Sequence, residues 1–131
     1  MSAKFLIQPD PDNRLVRAVM TGFFTAADFA RFLAAGDEAR ARIGLPPGAQ
    51  LTLIDVRRMK IQSAEIVEAI ATALADPARR SRLAFVVGPT LFRAQLTRAF
   101  GEREACCFDT VEEAEAFLLG GEHDKASAEA A

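Results

Sequence analysis

The sequence contains no tryptophan, no tyrosine and only one histidine, His123. The first two absences remove side chains on which single-stranded bases commonly stack, and the formal net charge of −2 gives no overall attraction to nucleic acid. A single histidine, placed near the polar C-terminus, leaves few options for general acid–base chemistry or metal binding. We therefore expect no nucleic-acid partner, no metal, no cofactor and no enzymatic activity.

Cysteines and long apolar runs are also scarce. Cys106 and Cys107 are adjacent, so they cannot join distant segments, and we expect them to be core thiols. No apolar run approaches the ~20 residues of a membrane-spanning helix. Pro9 interrupts the first apolar segment too early for a secretory signal. These features predict a cytoplasmic protein without an integral membrane segment.

What is present is an ordinary globular composition. Half of the 131 residues are hydrophobic and 26% are charged, which is enough apolar material for a real core. After Gly121 the sequence becomes small, polar and charged. We expect one α/β domain over residues 1–121 and a flexible tail over residues 122–131.

Strand and helix patterns alternate after an opening hairpin. Two apolar segments, Lys4–Gln8 and Arg14–Thr21, flank five turn-forming residues. Further strands are predicted over 51–56, 83–87 and 105–108, and helices are predicted to begin at Thr25, Ser63, Thr90 and Thr110. The order predicts a mixed five-stranded sheet, because hairpins are antiparallel and right-handed crossovers join parallel strands. The helices should lie mainly on one face, so a homodimer could cover the apolar opposite face.

This order and several motifs resemble the SpoIIAA-like branch of the superfamily that contains anti-sigma-factor antagonist (STAS) and SEC14-type lipid-transfer domains. The resemblance covers roughly Phe5 to Leu119. The segments that carry it are Asp12-Asn13-Arg14, Thr25-Ala26-Ala27-Asp28-Phe29, Leu51-Thr52-Leu53-Ile54-Asp55-Val56-Arg57 and Thr110-Val111-Glu112-Glu113-Ala114. It implies a SpoIIAA-like fold and a non-enzymatic regulatory module that binds a protein. The SEC14-type relatives imply the alternative, a carrier or sensor of a small lipophilic ligand.

The resemblance also points to a serine at the start of the helix after the third strand, which is the phosphorylation site of the antagonist branch. The pattern there is Asp-Ser-Ser-Gly. This sequence has Ile61-Gln62-Ser63-Ala64, so Ser63 alone matches in place. A phosphate at Ser63 could pair with Arg57, Arg58 and Lys60 and with free helix amides. The structural alternative is that Ser63 only caps the helix.

The remaining candidate residues lie after predicted strands. Asp55 and Arg57 are expected near the carboxyl end of the third strand, where open α/β sheets usually bind ligands. The alternative is that Asp55 fixes the turn through backbone amides. Gly88 and Thr90 resemble a minimal anion cradle at a helix start, or they form an ordinary turn.

Phe23 and Phe24 are adjacent bulky residues at the end of a strand. Neighbouring strand residues point to opposite sides, so both cannot enter one core. At least one of them should therefore be exposed, either at a partner surface or at the mouth of a pocket.

Overall fold

The described part of the chain forms a mixed five-stranded sheet with four helices, as the sequence predicts. The computed structural model describes residues 2–44, 51–75, 82–100 and 107–120. The strands are β1 Lys4–Asp10, β2 Leu15–Gly22, β3 Leu51–Met59, β4 Arg82–Val86 and β5 Cys107–Phe108. The helices are α1 Ala26–Ile43, α2 Ala64–Ala75, α3 Leu91–Phe100 and α4 Val111–Leu119. The predicted tail, residues 122–131, lies outside the described residues.

The strands lie side by side in chain order. β1 and β2 are antiparallel, whereas β2, β3, β4 and β5 are mutually parallel. The hairpin closes through a 3-10 turn over Pro11–Asn13, and Arg14 ends that turn with a left-handed φ of 56°. The carboxyl ends of β2, β3 and β4 therefore meet at one edge of the sheet.

Helix α1 begins and ends where the sequence predicts. The Thr25 side chain accepts from the Asp28 amide, and the Asp28 carboxylate accepts from the Thr25 amide, which completes a capping box. Gly44 ends the helix at φ 78°, a left-handed conformation that glycine adopts without steric cost. In the described part of the chain, no helix is long and apolar enough to cross a membrane.

Three helices cover one side of the sheet, which we call the three-helix face. Alternate strand residues, among them Ala18, Ile54 and Phe85, enter a core with side chains from α1, α2 and α3. The helices contribute Phe29, Phe32, Ile66, Ile70, Phe92 and Leu96. Cys107 is half-buried against this core, whereas Cys106 lies outside the described residues.

Helix α4 covers the opposite side, which we call the α4 face. Leu15, Leu53 and Val86 from the sheet pack with Ala114 and Leu118 from the helix. Most helices thus lie on one face, as predicted, but the fourth covers much of the apolar surface that a second copy was expected to cover. A homodimer remains a prediction from the sequence.

Candidate functional site

Strand β3 is longer than predicted and contains a bulge beside Asp55. The sequence predicts an end at Val56, but the strand continues to Met59, so Arg57 and Arg58 belong to the strand. Val19 pairs with Asp55 and Thr21 pairs with Arg58, so β3 carries one more residue than β2 over this stretch. A bulge of this kind redirects the side chains that follow it and is frequent near functional sites.

The Asp55 carboxylate holds the bulge through three hydrogen bonds from one residue. Its Oδ1 accepts from the Arg57 amide at 3.1 Å and from Arg57 Nε at 3.0 Å. Its Oδ2 accepts from Arg57 Nη2 at 2.7 Å. Two parallel bonds between a guanidinium and a carboxylate form a geometrically specific pair. This arrangement matches the structural alternative for Asp55.

The pair is ionised at neutral pH. Burial alone would raise the pKa of Asp55, but the hydrogen bonds from Arg57 and the charges of Arg57 and Arg58 outweigh it and lower that pKa. The hydrogen bond to Asp55 raises the pKa of Arg57, and the nearby Glu112 carboxylate contributes in the same direction. Asp55 is therefore a poor proton acceptor, which does not favour a role as a general base.

A buried glutamine connects the loops that follow β2 and β3. Gln62 is 3% exposed. Its Oε1 accepts from the Phe24 amide at 2.9 Å, and its Nε2 donates to the carbonyl oxygens of Gly22 at 2.9 Å and Lys60 at 2.5 Å. One side chain thus hydrogen-bonds three backbone groups at the ends of β2 and β3. These bonds also satisfy the Gln62 side-chain amide itself, as burial of a polar group requires.

Gln95 of α3 fixes the same segment from the other side. The Gln62 amide donates to Gln95 Oε1 at 2.7 Å, and Gln95 Nε2 donates to the Gln62 carbonyl at 2.8 Å. We call these bonds, together with those of the Gln62 side chain, the Gln62 network. It ties the loop before α2 to both β2 and α3.

Ser63 follows directly and begins α2. Its Oγ accepts from the Ile66 amide at 3.2 Å, and its carbonyl accepts from the Val67 amide at 3.0 Å. These are the bonds of an N-cap, as the structural alternative for Ser63 predicts, and phosphorylation of Ser63 stays a prediction.

Gly88 and Thr90 form the turn between β4 and α3. Gly88 adopts φ 59°, and a Cβ at this position would lie 3.6 Å from Cγ of Arg57. Thr90 Oγ1 donates to the Val87 carbonyl at 3.0 Å, which orders the start of α3. Arg93 donates to the Gly88 carbonyl at 3.1 Å and forms an ion pair with Asp109 at 2.9 Å. The turn therefore brings Gly88 beside Arg57, as expected for one sheet edge.

Phe23 and Phe24 are divided between surface and core. Phe24 is buried in the three-helix core, so it offers no surface to a partner. Phe23 is 41% exposed. On the neighbouring loop, Ile61 is 52% exposed, although isoleucine is usually buried. No local sequence pattern indicates that Ile61 is exposed, because the flanking backbone is held by contacts with distant segments.

We call the loops over 23–25, 60–63 and 87–90 the carboxyl edge. Two large apolar side chains, Phe23 and Ile61, are exposed there. Arg58 and Lys60 lie next to them and form no ion pair with any residue that the structure describes. Within the described ranges, no group of three or more histidine, cysteine or carboxylate side chains could hold a metal ion.

A separate groove of about 610 Å³ lies between α1 and α2. Its walls are mostly apolar, and they consist of Ala26, Phe29, Ala30, Leu33, Ala69, Thr72, Ala73 and Ala75. This groove bears on the sequence-based alternative, a carrier or sensor of a small lipophilic ligand.

The chain has the architecture of a SpoIIAA-like domain. No protein-family model matches the sequence, and a search of curated proteins finds no match. An anti-sigma factor antagonist from Mycobacterium paratuberculosis has a similar structure, with a TM-score of 0.64 at 12% identity. An uncharacterised DUF3478-family protein with a SpoIIAA-like fold, from Shewanella loihica, gives a TM-score of 0.62 at 18% identity. Each similarity covers 89% of this chain and 94% of the other chain.

Proposed function

We propose that this chain is a non-enzymatic regulatory module that binds a protein partner through the carboxyl edge. The likeness to an anti-sigma factor antagonist supports a regulatory role. The observation that carries the proposal is that Phe23 and Ile61 are exposed on two loops that the buried Gln62 holds together. The fold alone would support many functions, so the argument rests on this edge.

Fixed loops favour binding because less conformational entropy is lost when the complex forms. The Gln62 network orders the backbone on both sides of Phe23 and Ile61 before any partner arrives. Large apolar side chains at the centre of an interface commonly supply most of its free energy. Arg58 and Lys60 would lie around this centre, where charges mainly direct the orientation and rate of encounter.

Ser63 and the Asp55–Arg57 pair have supporting roles in this proposal. Ser63 caps α2, and Asp55 holds the bulge that brings Arg57 to the edge. Binding would need neither phosphorylation of Ser63 nor proton transfer at Asp55.

The proposal is tested by affinity capture from the native host, followed by a binding titration with the purified partner. Phe23→Ser and Ile61→Asp should each weaken binding of the captured protein at least tenfold, as expected for central apolar residues. Leu119→Asp is the matched control, because Leu119 is also an exposed apolar residue but lies at the end of α4. Equal losses of binding affinity in the Phe23 and Ile61 variants and in the Leu119 control would contradict the proposal.

The groove between α1 and α2 favours a second candidate, a carrier of a small lipophilic ligand. Its volume is within the range of about 300–1,000 Å³ that is typical of ligand pockets. Native mass spectrometry of the purified protein should then show a stoichiometric apolar adduct, which Ala73→Phe should remove by filling the groove. A protein mass without any adduct would leave the protein-binding module as the function.

A further inference from the structure

Helix α4 leaves part of its face of the sheet uncovered. The helix packs against β3, β4 and β5, and it reaches β2 through an ion pair between Glu115 and Arg17. Leu6 of β1 and Val19 of β2 pair across the strands, and they are 55% and 38% exposed. They lie on the α4 face, because the alternating residues Phe5 and Ile7 pack against the three-helix core.

Two cations lie beside this apolar pair. Lys4 pairs with Thr21, which pairs in turn with Arg58, so all three lie in one row across the strands. We call Lys4, Leu6, Val19 and Arg58 the open strip. Neither Lys4 nor Arg58 forms an ion pair with a described residue.

Two acidic groups beside the open strip already accept hydrogen bonds from neighbouring side chains, and a third, Glu112 of α4, interacts with the charge of Arg57. The Asp55 carboxylate accepts three hydrogen bonds from Arg57. The Asp10 carboxylate accepts from Asn13 at 2.9 Å and from Arg17 at 3.4 Å. The strip therefore combines an apolar centre with two cations that form no ion pair with a described residue, although the charge of Arg58 also acts on Asp55. Its complement is an apolar residue flanked by carboxylates.

The position of β1 suits an extended ligand. β1 is the first strand in the sheet order, so one of its sides has no neighbour among the strands that the structure describes. An extended peptide can pair with a free strand edge while its alternate side chains contact one face of the sheet. A second copy is a poorer fit, because it would bring its own Lys4 and Arg58 while its Asp10 is already engaged.

We propose that the open strip binds an extended acidic segment of a protein partner, with an apolar side chain over Leu6 and Val19 and carboxylates beside Lys4 and Arg58. This inference rests on the proposed function, since it takes the partner to be a protein. It adds a binding surface on the α4 face that shares Arg58 with the carboxyl edge but includes neither Phe23 nor Ile61.

The test uses the full chain labelled with ¹⁵N and a synthetic peptide in which glutamate alternates with valine. Amide shifts in a titration should be concentrated in residues 4–8 and 17–21. A peptide with lysine in place of glutamate is the matched control and should produce no comparable shifts. Lys4→Glu and Arg58→Glu should each weaken binding of the acidic peptide about fivefold, in line with exposed charge pairs.

Two further variants separate this surface from other effects. Arg42→Glu makes the same change of charge on α1, on the other side of the sheet, and should leave the affinity unchanged. Leu6→Thr keeps a residue that favours strands but removes apolar surface, so it should weaken binding without unfolding the protein. Ile61→Asp should not affect the peptide, so this inference and the proposed function can fail independently.

Three results would overturn the inference. The first is no peptide binding, and the second is equal binding of the acidic and basic peptides. The third is sedimentation of the protein with phosphatidylglycerol vesicles that requires Lys4 and Arg58, without peptide binding, because the occupant would then be an anionic membrane surface.

Discussion

The two faces of the sheet are covered in different ways. The three-helix face has a continuous core with large side chains, including Phe24, Phe29, Phe32, Phe85 and Phe92. The core of the α4 face is smaller and consists of Leu15, Leu53, Ala84, Val86, Ala114 and Leu118. Hydrophobic stabilisation grows with the apolar area buried, so the first face should supply most of the stability. The second face retains open surface beside β1.

Because of this difference, the residues that stabilise the fold and the residues proposed to bind a partner lie in different parts of one sheet. The exposed residues of the open strip lie on the part of the sheet that α4 does not cover, and Phe23 and Ile61 lie at the adjacent carboxyl edge. A change at an exposed apolar residue usually alters stability by less than ~0.5 kcal/mol. Binding residues at these positions can therefore vary without loss of the fold.

The largest expected effect compares one leucine from each core. Leu96→Ala on the three-helix face should destabilise the protein by about 3–4 kcal/mol, and Leu118→Ala on the α4 face by about 2 kcal/mol. Both leucines are buried, but α4 is a short helix on an otherwise open face, so it can move to reduce the cavity. Urea unfolding measures both values. Equal losses, or a greater loss for Leu118→Ala, would contradict the difference between the faces.

The next prediction tests how much the Gln62 network, on the three-helix face, stabilises the loops of the carboxyl edge. Gln62→Leu keeps the approximate size of the side chain but leaves the Phe24 amide and the Lys60 carbonyl without their partner, while the Gly22 carbonyl keeps its bond from the Lys60 amide. We expect a loss of about 2–3 kcal/mol in the free energy of unfolding.

Gln95→Leu provides the matched control for that prediction. Gln95 is half-buried, and water can replace part of its bonding to Gln62, so the expected loss is about 1 kcal/mol. Hydrogen exchange should show faster exchange at the Phe24 amide in Gln62→Leu than in Gln95→Leu. A smaller loss of stability for Gln62→Leu than for Gln95→Leu would show that the Gln62 network does not depend on the buried side-chain amide of Gln62.

Local signals predicted much of the fold. Thr25 and Asp28 form a capping box, Gly44 ends α1, and Ser63 and Thr110 cap their helices. Each of these features depends on residues within a few positions, so the sequence contains the whole signal. The strand order follows from connection rules that are nearly as local.

The candidate site depends on contacts between distant segments. The partner of the Phe24 amide is Gln62, which lies 38 residues away, and the bulge at Asp55 depends on the register with β2. The amphipathic nine-residue pattern of α4 gives no indication of which face of the sheet the helix will cover. The sequence therefore located the carboxyl edge through Arg57, Gly88 and Phe23, but it did not identify Ile61, Gln62 or Gln95.

The smallest expected effect concerns the ion pair between Asp55 and Arg57, which lies partly exposed on the α4 face. Because the pKa of Asp55 is lowered in the folded protein, its ionised form stabilises the fold above the pKa of the unfolded chain. That stabilisation disappears as the pH falls through the folded pKa, below about pH 4. Asp55→Asn should therefore cost about 1 kcal/mol at pH 7 and less at pH 3, which lies below the pKa of the unfolded chain. Urea unfolding at both pH values measures the change, with Asp12→Asn as an exposed control expected to lie within ~0.5 kcal/mol of the unmodified protein at pH 7. A cost for Asp55→Asn that does not change with pH would show that shape rather than charge holds the bulge.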